Sequence, residues 1–238
     1  VVVLAAATVV CWRLGFWQLS RLEEKRALNA SLRATLAAPP LAAGDRAPDF
    51  EAARGRLVEL AGRFDPRFQV LLRGRSHDGA PGVLVVTPWL LAGDSAAVLV
   101  ERGWLPAADG ATVAPGQIPD DTSRTVTGLA EPFAGGAPIP PMREMGAGSR
   151  RVWSAPRLDL DSLRARLPYA IAPYALRALP GGGAPERPLR AAPRPTNEIT
   201  NLGYAVQWFA MGVVLPLGSL LLARRRRAAS RDSVKSSA

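Results

Sequence analysis

The sequence predicts a membrane-anchored α+β protein, with two transmembrane helices bracketing a mostly antiparallel β domain outside the cytoplasm. Three observations lead to this prediction. A long apolar run lies at each end of the chain. Short apolar or alternating segments, separated by turn-prone residues, fill the middle. Half of the net charge of +10 lies directly after the second apolar run, as the positive-inside rule expects of a cytoplasmic flank.

The C-terminal apolar run, from Leu202 to Ala223, has 22 residues and no charge. About 20 apolar residues are enough to cross the hydrocarbon core of a bilayer. Aromatic residues cluster near the start of the run, and four arginines, Arg224 to Arg227, follow its end. We therefore predict a transmembrane helix over 201–223 and a basic cytoplasmic tail over 224–238. The alternative is a buried helix of a soluble core.

The N-terminal apolar run, from Val1 to Leu19, is interrupted once, by Arg13. No small-x-small cleavage site follows it, and the helical pattern continues to Pro39. An anchor over 1–20 that extends into a stalk helix over 21–38 is therefore favoured over a cleaved signal peptide. Because the sequence does not begin with methionine, we expect further residues upstream. Two spans place both termini in the cytoplasm, and the Arg-, Ala-, Pro- and Gly-rich composition favours the plasma membrane of a bacterium.

The middle of the chain, residues 39–200, reads as one extracytoplasmic β-rich domain. Pro39 to Pro48 are predicted to be a linker, Pro132 to Gly148 a long loop and Gly181 to Gly183 a turn, because proline and glycine interrupt these segments. A short helix is predicted over 158–167. Seven or so short strands with one helix indicate a barrel or a sandwich. Extended patterns occupy 55–64, 68–75, 83–91, 97–105, 125–131, 151–155, 169–179 and 187–192.

The chain offers little chemistry for catalysis or metal binding. It has one cysteine, Cys11, and one histidine, His77, so an autonomous metal centre is not expected. No nucleotide-binding or hydrolase motif is present. Ser76, His77 and Asp78 are adjacent, and adjacent side chains diverge too much to form a catalytic triad. We therefore expect no catalytic and no metal site, and the placement of the basic excess favours a membrane partner over nucleic acid.

Four segments in a fixed order resemble a known family. The first is Gly15-Phe16-Trp17-Gln18-Leu19-Ser20-Arg21, and the last is Asn201 to Phe209 (NLGYAVQWF). Between them lie Leu71-Leu72-Arg73, followed by Val85 to Pro88, and then Arg102-Gly103-Trp104-Leu105-Pro106. In this order, between two anchors, the segments closely resemble the surfeit locus protein 1 family of cytochrome c oxidase assembly factors. The resemblance covers nearly the whole chain and is weakest from Pro106 to Pro195.

The resemblance implies a non-enzymatic chaperone of respiratory chain biogenesis. Such a protein helps to insert haem a into subunit I of a haem–copper oxidase, in contact with that subunit and with the machinery of haem a synthesis. Some bacterial members are thought to bind haem a through a histidine immediately before the Leu-x-Tyr of the last span. That position is Asn201 here, and asparagine is a poor iron ligand. Haem a is therefore possible as a cofactor but not certain: either this chain scaffolds without an axial ligand, or haem delivery rests elsewhere.

The motif residues are the candidate contacts to a partner. Gly15 is expected to let a neighbouring helix approach closely, while Trp17, Tyr204 and Trp208 anchor the spans at the membrane surface. We expect Gln18, Arg21 and Gln207 to hydrogen-bond between the spans or to a partner. In the motif Arg102 to Pro106, Arg102 is expected to face the membrane-side base, Gly103 to end a strand and Trp104 to pack on the domain. Arg73 and Asn201 complete the set.

Other interpretations remain open at this point. All of these motif residues are also compatible with anchoring and core packing alone. A different function class is a generic double-anchored binding module of the cell envelope with an extracytoplasmic β domain. A membrane-tethered hydrolase would need a nucleophile and a base that converge in a cleft, and the single histidine argues against it.

Overall fold

A computed structural model describes residues 2–133, 142–145, 150–181 and 185–235, with side chains described up to residue 225. The chain divides into two compact units. One unit combines Val1–Arg33 with Arg194–Ala238 and is helical, and the other, Ala34–Pro193, is rich in β-strands. Each unit is described by itself below.

The helical unit contains the two longest helices, α1 (Val2–Ala37) and α4 (Ile199–Lys235). By length and composition, both are long and apolar enough to cross a membrane. Contacts pair rising residue numbers on α1 with falling numbers on α4, for example Gly15 with Phe209 and Lys25 with Asn201. The two helices therefore pack antiparallel. Helix α4 also extends beyond the predicted end of the apolar run at Ala223, through the arginine cluster to Lys235.

The β unit is built around a closed barrel, one of the two arrangements that the sequence pattern predicts. The strands are β1 (Leu41–Gly44), β2 (Leu57–Phe64), β3 (Phe68–His77), β4 (Ala80–Leu91), β5 (Ala96–Pro106), β6 (Thr125–Pro132), β7 (Arg143–Met145), β8 (Arg151–Ala155) and β9 (Ala170–Ala178). Strands β2, β6, β9, β5 and β4 are neighbours in that order, and β4 pairs again with β2 to close the ring. Strand β1 adds to β2, and β3, β8 and β7 extend the sheet from β4.

Most of these pairings are antiparallel, as predicted, but β1–β2, β3–β8 and β5–β9 are parallel. Alternate side chains of the ring strands point inward and form an apolar core around Trp89 and Tyr174, neither of which is exposed. The short helix α3 (Leu160–Arg164) packs outside the ring through Leu163. Its N-terminus is capped by Asp159, whose carboxylate accepts the Ser162 N–H at 3.1 Å.

Two of the local predictions are wrong. The linker predicted from Pro39 to Pro48 contains β1, and a short helix, α2 (Phe50–Ala53), follows it. Each element has only four residues, which is too short to give a periodic signal. The strand predicted over 187–192 is reduced to one isolated bridge between Leu189 and Trp104, because the ring nitrogen of Pro188 has no N–H to donate to a ladder.

Two predicted segments fall largely outside the described residues. Of the predicted loop from Pro132 to Gly148, residues 134–141 and 146–148 are not described, and the described part includes β7. Of the predicted turn from Gly181 to Gly183, only Gly181 is described.

Candidate functional site

The facing surfaces of α1 and α4 follow a seven-residue repeat. The buried residues of α1 are spaced alternately by four and three, or by seven, as in Cys11, Gly15, Gln18, Leu22 and Asn29. On α4 the buried residues Ala205 and Gly212 are seven apart. A repeat of 3.5 residues keeps one side of a helix against its neighbour when the two helices supercoil. The two helices therefore share one continuous seam.

In the apolar half of the seam, each helix places an aromatic ring over a glycine of the other. A Cβ atom added to Gly15 would lie 2.5 Å from the Phe209 ring, and one added to Gly212 would lie 2.9 Å from Nε1 of Trp12. Phe209 also packs against Trp12 and Phe16, with ring centroids 5.2 and 5.3 Å apart. Small residues let the backbones approach, and the rings fill the space beside them.

In the polar half of the seam, a chain of hydrogen bonds joins the helices. The Asn201 amide donates through Nδ2 to Oε1 of Gln18 at 2.7 Å, and its Oδ1 accepts from the Lys25 ammonium at 2.6 Å. Lys25 also donates to the carbonyl of Asn197 at 3.1 Å, just before α4 begins. Lysine is bonded to neutral oxygens here, and the Asn201 side chain uses both ends of its amide within the seam.

Asn29 clamps the segment that leads into α4. Its side-chain oxygen accepts the Thr196 N–H at 2.8 Å, and its Nδ2 donates to the Thr196 carbonyl at 2.9 Å. This reciprocal pair imitates one rung of a β-ladder, and Asn29 is only 2 % exposed. Nδ2 also donates to Glu198 at 2.7 Å. The side-chain hydrogen bond from Asn29, with a weaker contribution from Arg26, lowers the pKa of Glu198, so its carboxylate is charged at neutral pH.

The other helix motif residues face away from the seam. Trp17 and Tyr204 are each about half exposed, at 55 % and 50 %, and Trp208 is partly buried. Gln207 is exposed. Arg21 lies on the exposed side of α1, where it forms an ion pair with Glu24 one turn later, at 2.5 Å. Gln18, Arg21 and Gln207 were predicted to hydrogen-bond between the spans or to a partner: Gln18 bonds between the helices, and for Arg21 and Gln207 the partner contact stays a prediction.

Two expectations about the motif Arg102 to Pro106 are wrong. Arg102, which was expected to face the membrane-side base, is buried inside the domain: it is 1 % exposed, and its Nη2 donates to the Pro119 carbonyl at 2.6 Å. Gly103 does not end β5, because it lies inside that strand at φ +134°. A Cβ atom there would meet the Leu189 carbonyl oxygen at 2.4 Å, so only glycine lets the Leu189 segment approach. Trp104 packs on the domain, and Arg73 is partly buried at an irregularity of the β3–β4 ladder.

Several residues of the seam were not among the predicted contacts, namely Trp12, Lys25, Asn29, Phe209 and Gly212. The seven-residue spacing of Cys11, Gln18 and Lys25, and of Gly15, Leu22 and Asn29, is visible in the sequence and would have indicated this face of α1. The described residues contain no group of three or more His, Cys, Asp and Glu side chains that could hold a metal ion.

Comparison with known proteins places these features in a family. The SURF1 family model matches residues 5–213. An uncharacterized SURF1-like protein of Mycobacterium tuberculosis is 29 % identical over 233 residues, which cover 91 % of this chain and 79 % of that protein. SURF1-like proteins of Rickettsia felis and Drosophila melanogaster are 37 % and 33 % identical over 105 and 108 residues.

The last two alignments are partial. They cover 43 % and 39 % of this chain, and 44 % and 36 % of the Rickettsia and Drosophila proteins. The chain therefore matches less than half the length of these relatives. The family match includes the whole of the α1–α4 seam from Cys11 to Gly212, together with the barrel. The chain belongs to the SURF1 family.

Proposed function

We propose that this chain is a membrane-anchored assembly factor for a haem–copper cytochrome c oxidase, and that it acts as a scaffold rather than as an enzyme. Two findings support the proposal. The chain belongs to the SURF1 family, whose members are generally known as cytochrome oxidase assembly factors. The first and last of its recognisable motifs lie on one pair of helices, where they share a seam. That juxtaposition carries the proposal.

The helix pair suits a scaffold in the plane of a membrane. The packing of aromatic rings against glycines is van der Waals contact, which also holds helices together in lipid. The hydrogen-bonded chain through Gln18, Asn201 and Lys25 suits the membrane–water interface, where polar side chains are tolerated. Because the helices are antiparallel, a chain that spans a bilayer twice has both termini on one side. By the positive-inside rule, the arginines after Ala223 support a cytoplasmic location for that side; the proposal therefore has the barrel outside the cytoplasm, at the plasma membrane of a bacterium.

Cysteine labelling tests this orientation. In a Cys11→Ala background, we expect Ser95→Cys, in the exposed turn between β4 and β5, to react with a membrane-impermeant maleimide in intact spheroplasts. We expect Ser230→Cys, in the basic tail, to react only after the membrane is permeabilised. Labelling of Ser230→Cys in intact spheroplasts, or protection of Ser95→Cys, contradicts the proposed orientation.

The side chains at the start of α4 do not fit axial ligation of haem iron. Asn201 stands where some relatives are thought to place a histidine, and both ends of its amide are already bonded to Gln18 and Lys25. An amide is also a poor ligand for haem iron. His77 belongs to the other compact unit. We therefore propose that the chain supports maturation of subunit I by contact, without supplying an iron ligand from this position.

Deleting the gene tests the proposed function. We expect the deletion to lower cytochrome c oxidase activity and the absorption band of haem a in membranes several-fold, while respiratory dehydrogenase activities stay unchanged. The wild-type gene on a plasmid should restore both signals. Pull-down in mild detergent should recover oxidase subunit I. Normal oxidase in the deletion strain would refute the proposal and favour a binding module of the cell envelope.

A further inference from the structure

The barrel carries a cleft whose lining is rich in arginine and which the proposed scaffold role does not use. Its lining includes Arg63, Phe64, Arg102, Asp120, Asp121 and Arg124. All of these residues belong to the β unit. The lining of the cleft therefore comes from the β unit alone and includes no residue of the helical unit.

Arg102 forms the buried base of this cleft. Its side chain is held by the Pro119 carbonyl at 2.6 Å and lies over the Phe64 ring, with Cζ 5.0 Å from the ring centroid. Its Nε is buried and has no hydrogen-bond partner in the described part of the protein. Desolvation by burial lowers the pKa of Arg102 to about 10, so the guanidinium is still charged at neutral pH. A buried charge without a carboxylate partner is costly unless something compensates it.

The two aspartates of the cleft are already used by other arginines. Asp121 forms a buried ion pair with Arg190 at 2.6 Å and accepts the backbone N–H of Ser123 at 3.0 Å. Asp120 pairs with Arg150 at 2.9 Å. Each aspartate thus has its own counter-charge. Neither carboxylate lies within ion-pair distance of Arg102.

Two further arginines flank the opening. Arg63 lies near the end of β2, and Arg124 immediately precedes β6, the antiparallel neighbour of β2. The Arg124 carbonyl accepts the Gly62 N–H at 2.9 Å, which holds the two exposed arginines on adjacent backbones. Within the described ranges, neither Arg63 nor Arg124 has a carboxylate at ion-pair distance. Three arginines of the lining therefore form no ion pair with the described carboxylates, and the charge of Asp121 acts on Arg102 only from beyond ion-pair distance.

We propose that this cleft binds a phosphate group. Arginine recognises the oxygens of phosphate through paired N–H donors, and such charge-assisted hydrogen bonds are about twice as strong as neutral ones. Arg63 and Arg124 meet the group at the mouth, and Arg102 provides charge and donors beneath it. A dianion is favoured over a single carboxylate because three arginines line the cleft. The phosphate is either free or the headgroup of a lipid.

Thermal unfolding of the full chain in neutral detergent tests the proposal. Inorganic phosphate is titrated against chloride at constant ionic strength, and a soluble short-chain phosphatidic acid is titrated in a parallel series. We expect phosphate, the short-chain lipid or both to raise the melting temperature in a saturable way. Binding of the lipid but not of inorganic phosphate identifies the source as a headgroup, and the reverse result identifies a free phosphate.

Variants distinguish binding of phosphate in the cleft from general screening of surface charges by phosphate. Arg63→Gln and Arg124→Gln change exposed side chains, so the barrel should fold, and each should weaken phosphate binding about tenfold or more. Arg164→Gln removes the same charge from α3, outside the cleft lining, and should bind like the wild type. Two results overturn the proposal: no saturable shift with either ligand, or equal shifts in Arg164→Gln and in the two cleft variants.

Discussion

Replacing Gly15 by leucine is expected to separate α1 from α4 and to abolish support of oxidase maturation. A Cβ atom at Gly15 would already lie 2.5 Å from the Phe209 ring, and leucine adds three more carbons there. Overpacking of this kind costs about 3 kcal/mol, which raises the open fraction of the pair roughly a hundredfold. Cys11, buried in the seam and the only cysteine, reports the opening through its rate of maleimide labelling in detergent.

Gly203→Leu is the matched control for this substitution. Gly203 lies on α4, and no atom is within 4 Å of an added Cβ there. Both substitutions remove a glycine from a helix and so gain about 1 kcal/mol of helix propensity, and only the one at Gly15 introduces a clash. Gly212→Leu, beneath Trp12, should repeat the effect. Fast Cys11 labelling together with full oxidase activity in Gly15→Leu cells would show that the seam is not required, and slow labelling would contradict the expected opening.

Replacing Asp121 by asparagine is expected to destabilise the barrel by about 3–5 kcal/mol. The side chains of Asp121 and Arg190 are 1 % and 7 % exposed, and their ion pair is 2.6 Å long. Asparagine keeps the shape but leaves the Arg190 guanidinium buried without a counter-charge. Desolvation already lowers the pKa of Arg190, which shows that its environment disfavours the charge. Pulse proteolysis of the full chain in increasing urea measures the free energy of unfolding of the barrel.

The neighbouring Asp120→Asn is the control. Asp120 also pairs with an arginine, but its side chain is 56 % exposed and that of Arg150 is 36 % exposed. Water screens such a pair, so its loss should cost less than about 1 kcal/mol. A double variant, Asp121→Leu with Arg190→Met, should recover much of the stability because it removes both buried charges together. Equal destabilisation by Asp120→Asn and Asp121→Asn would contradict the importance of burial.

Together, the two substitutions address different parts of the proposed function. The Gly15 variants change the seam and leave the barrel intact, whereas the Asp121 variant changes the barrel and leaves the seam intact. If the oxidase depends on the helix pair, Gly203→Leu and Asp120→Asn should both support it, and Gly15→Leu should not. The rate of Cys11 labelling reports on the seam, and pulse proteolysis in urea reports on the barrel, so the two measurements show which unit each substitution has perturbed.

Local patterns are sufficient to locate most secondary structure in this chain. The uncharged run from Leu202 to Ala223 and the alternation in segments such as Thr125 to Glu131 correspond to α4 and β6. Such patterns arise because a helix or strand buries one side with a period of 3.6 or 2 residues. The resemblance drawn from Gly15 to Arg21, Arg102 to Pro106 and Asn201 to Phe209 also agrees with the family match over 5–213.

Tertiary structure alone decides what the motif residues touch. Asn29 and Thr196 are far apart in the chain, and nothing near either residue indicates that they exchange hydrogen bonds. Arg102, which was expected to face the membrane-side base, is buried over Phe64 because β2 and β5 belong to one closed ring. Gly103 is required by the backbone of Leu189, which crosses it. Periodicity shows which side of an element is buried, whereas the partner that buries it depends on long-range pairing.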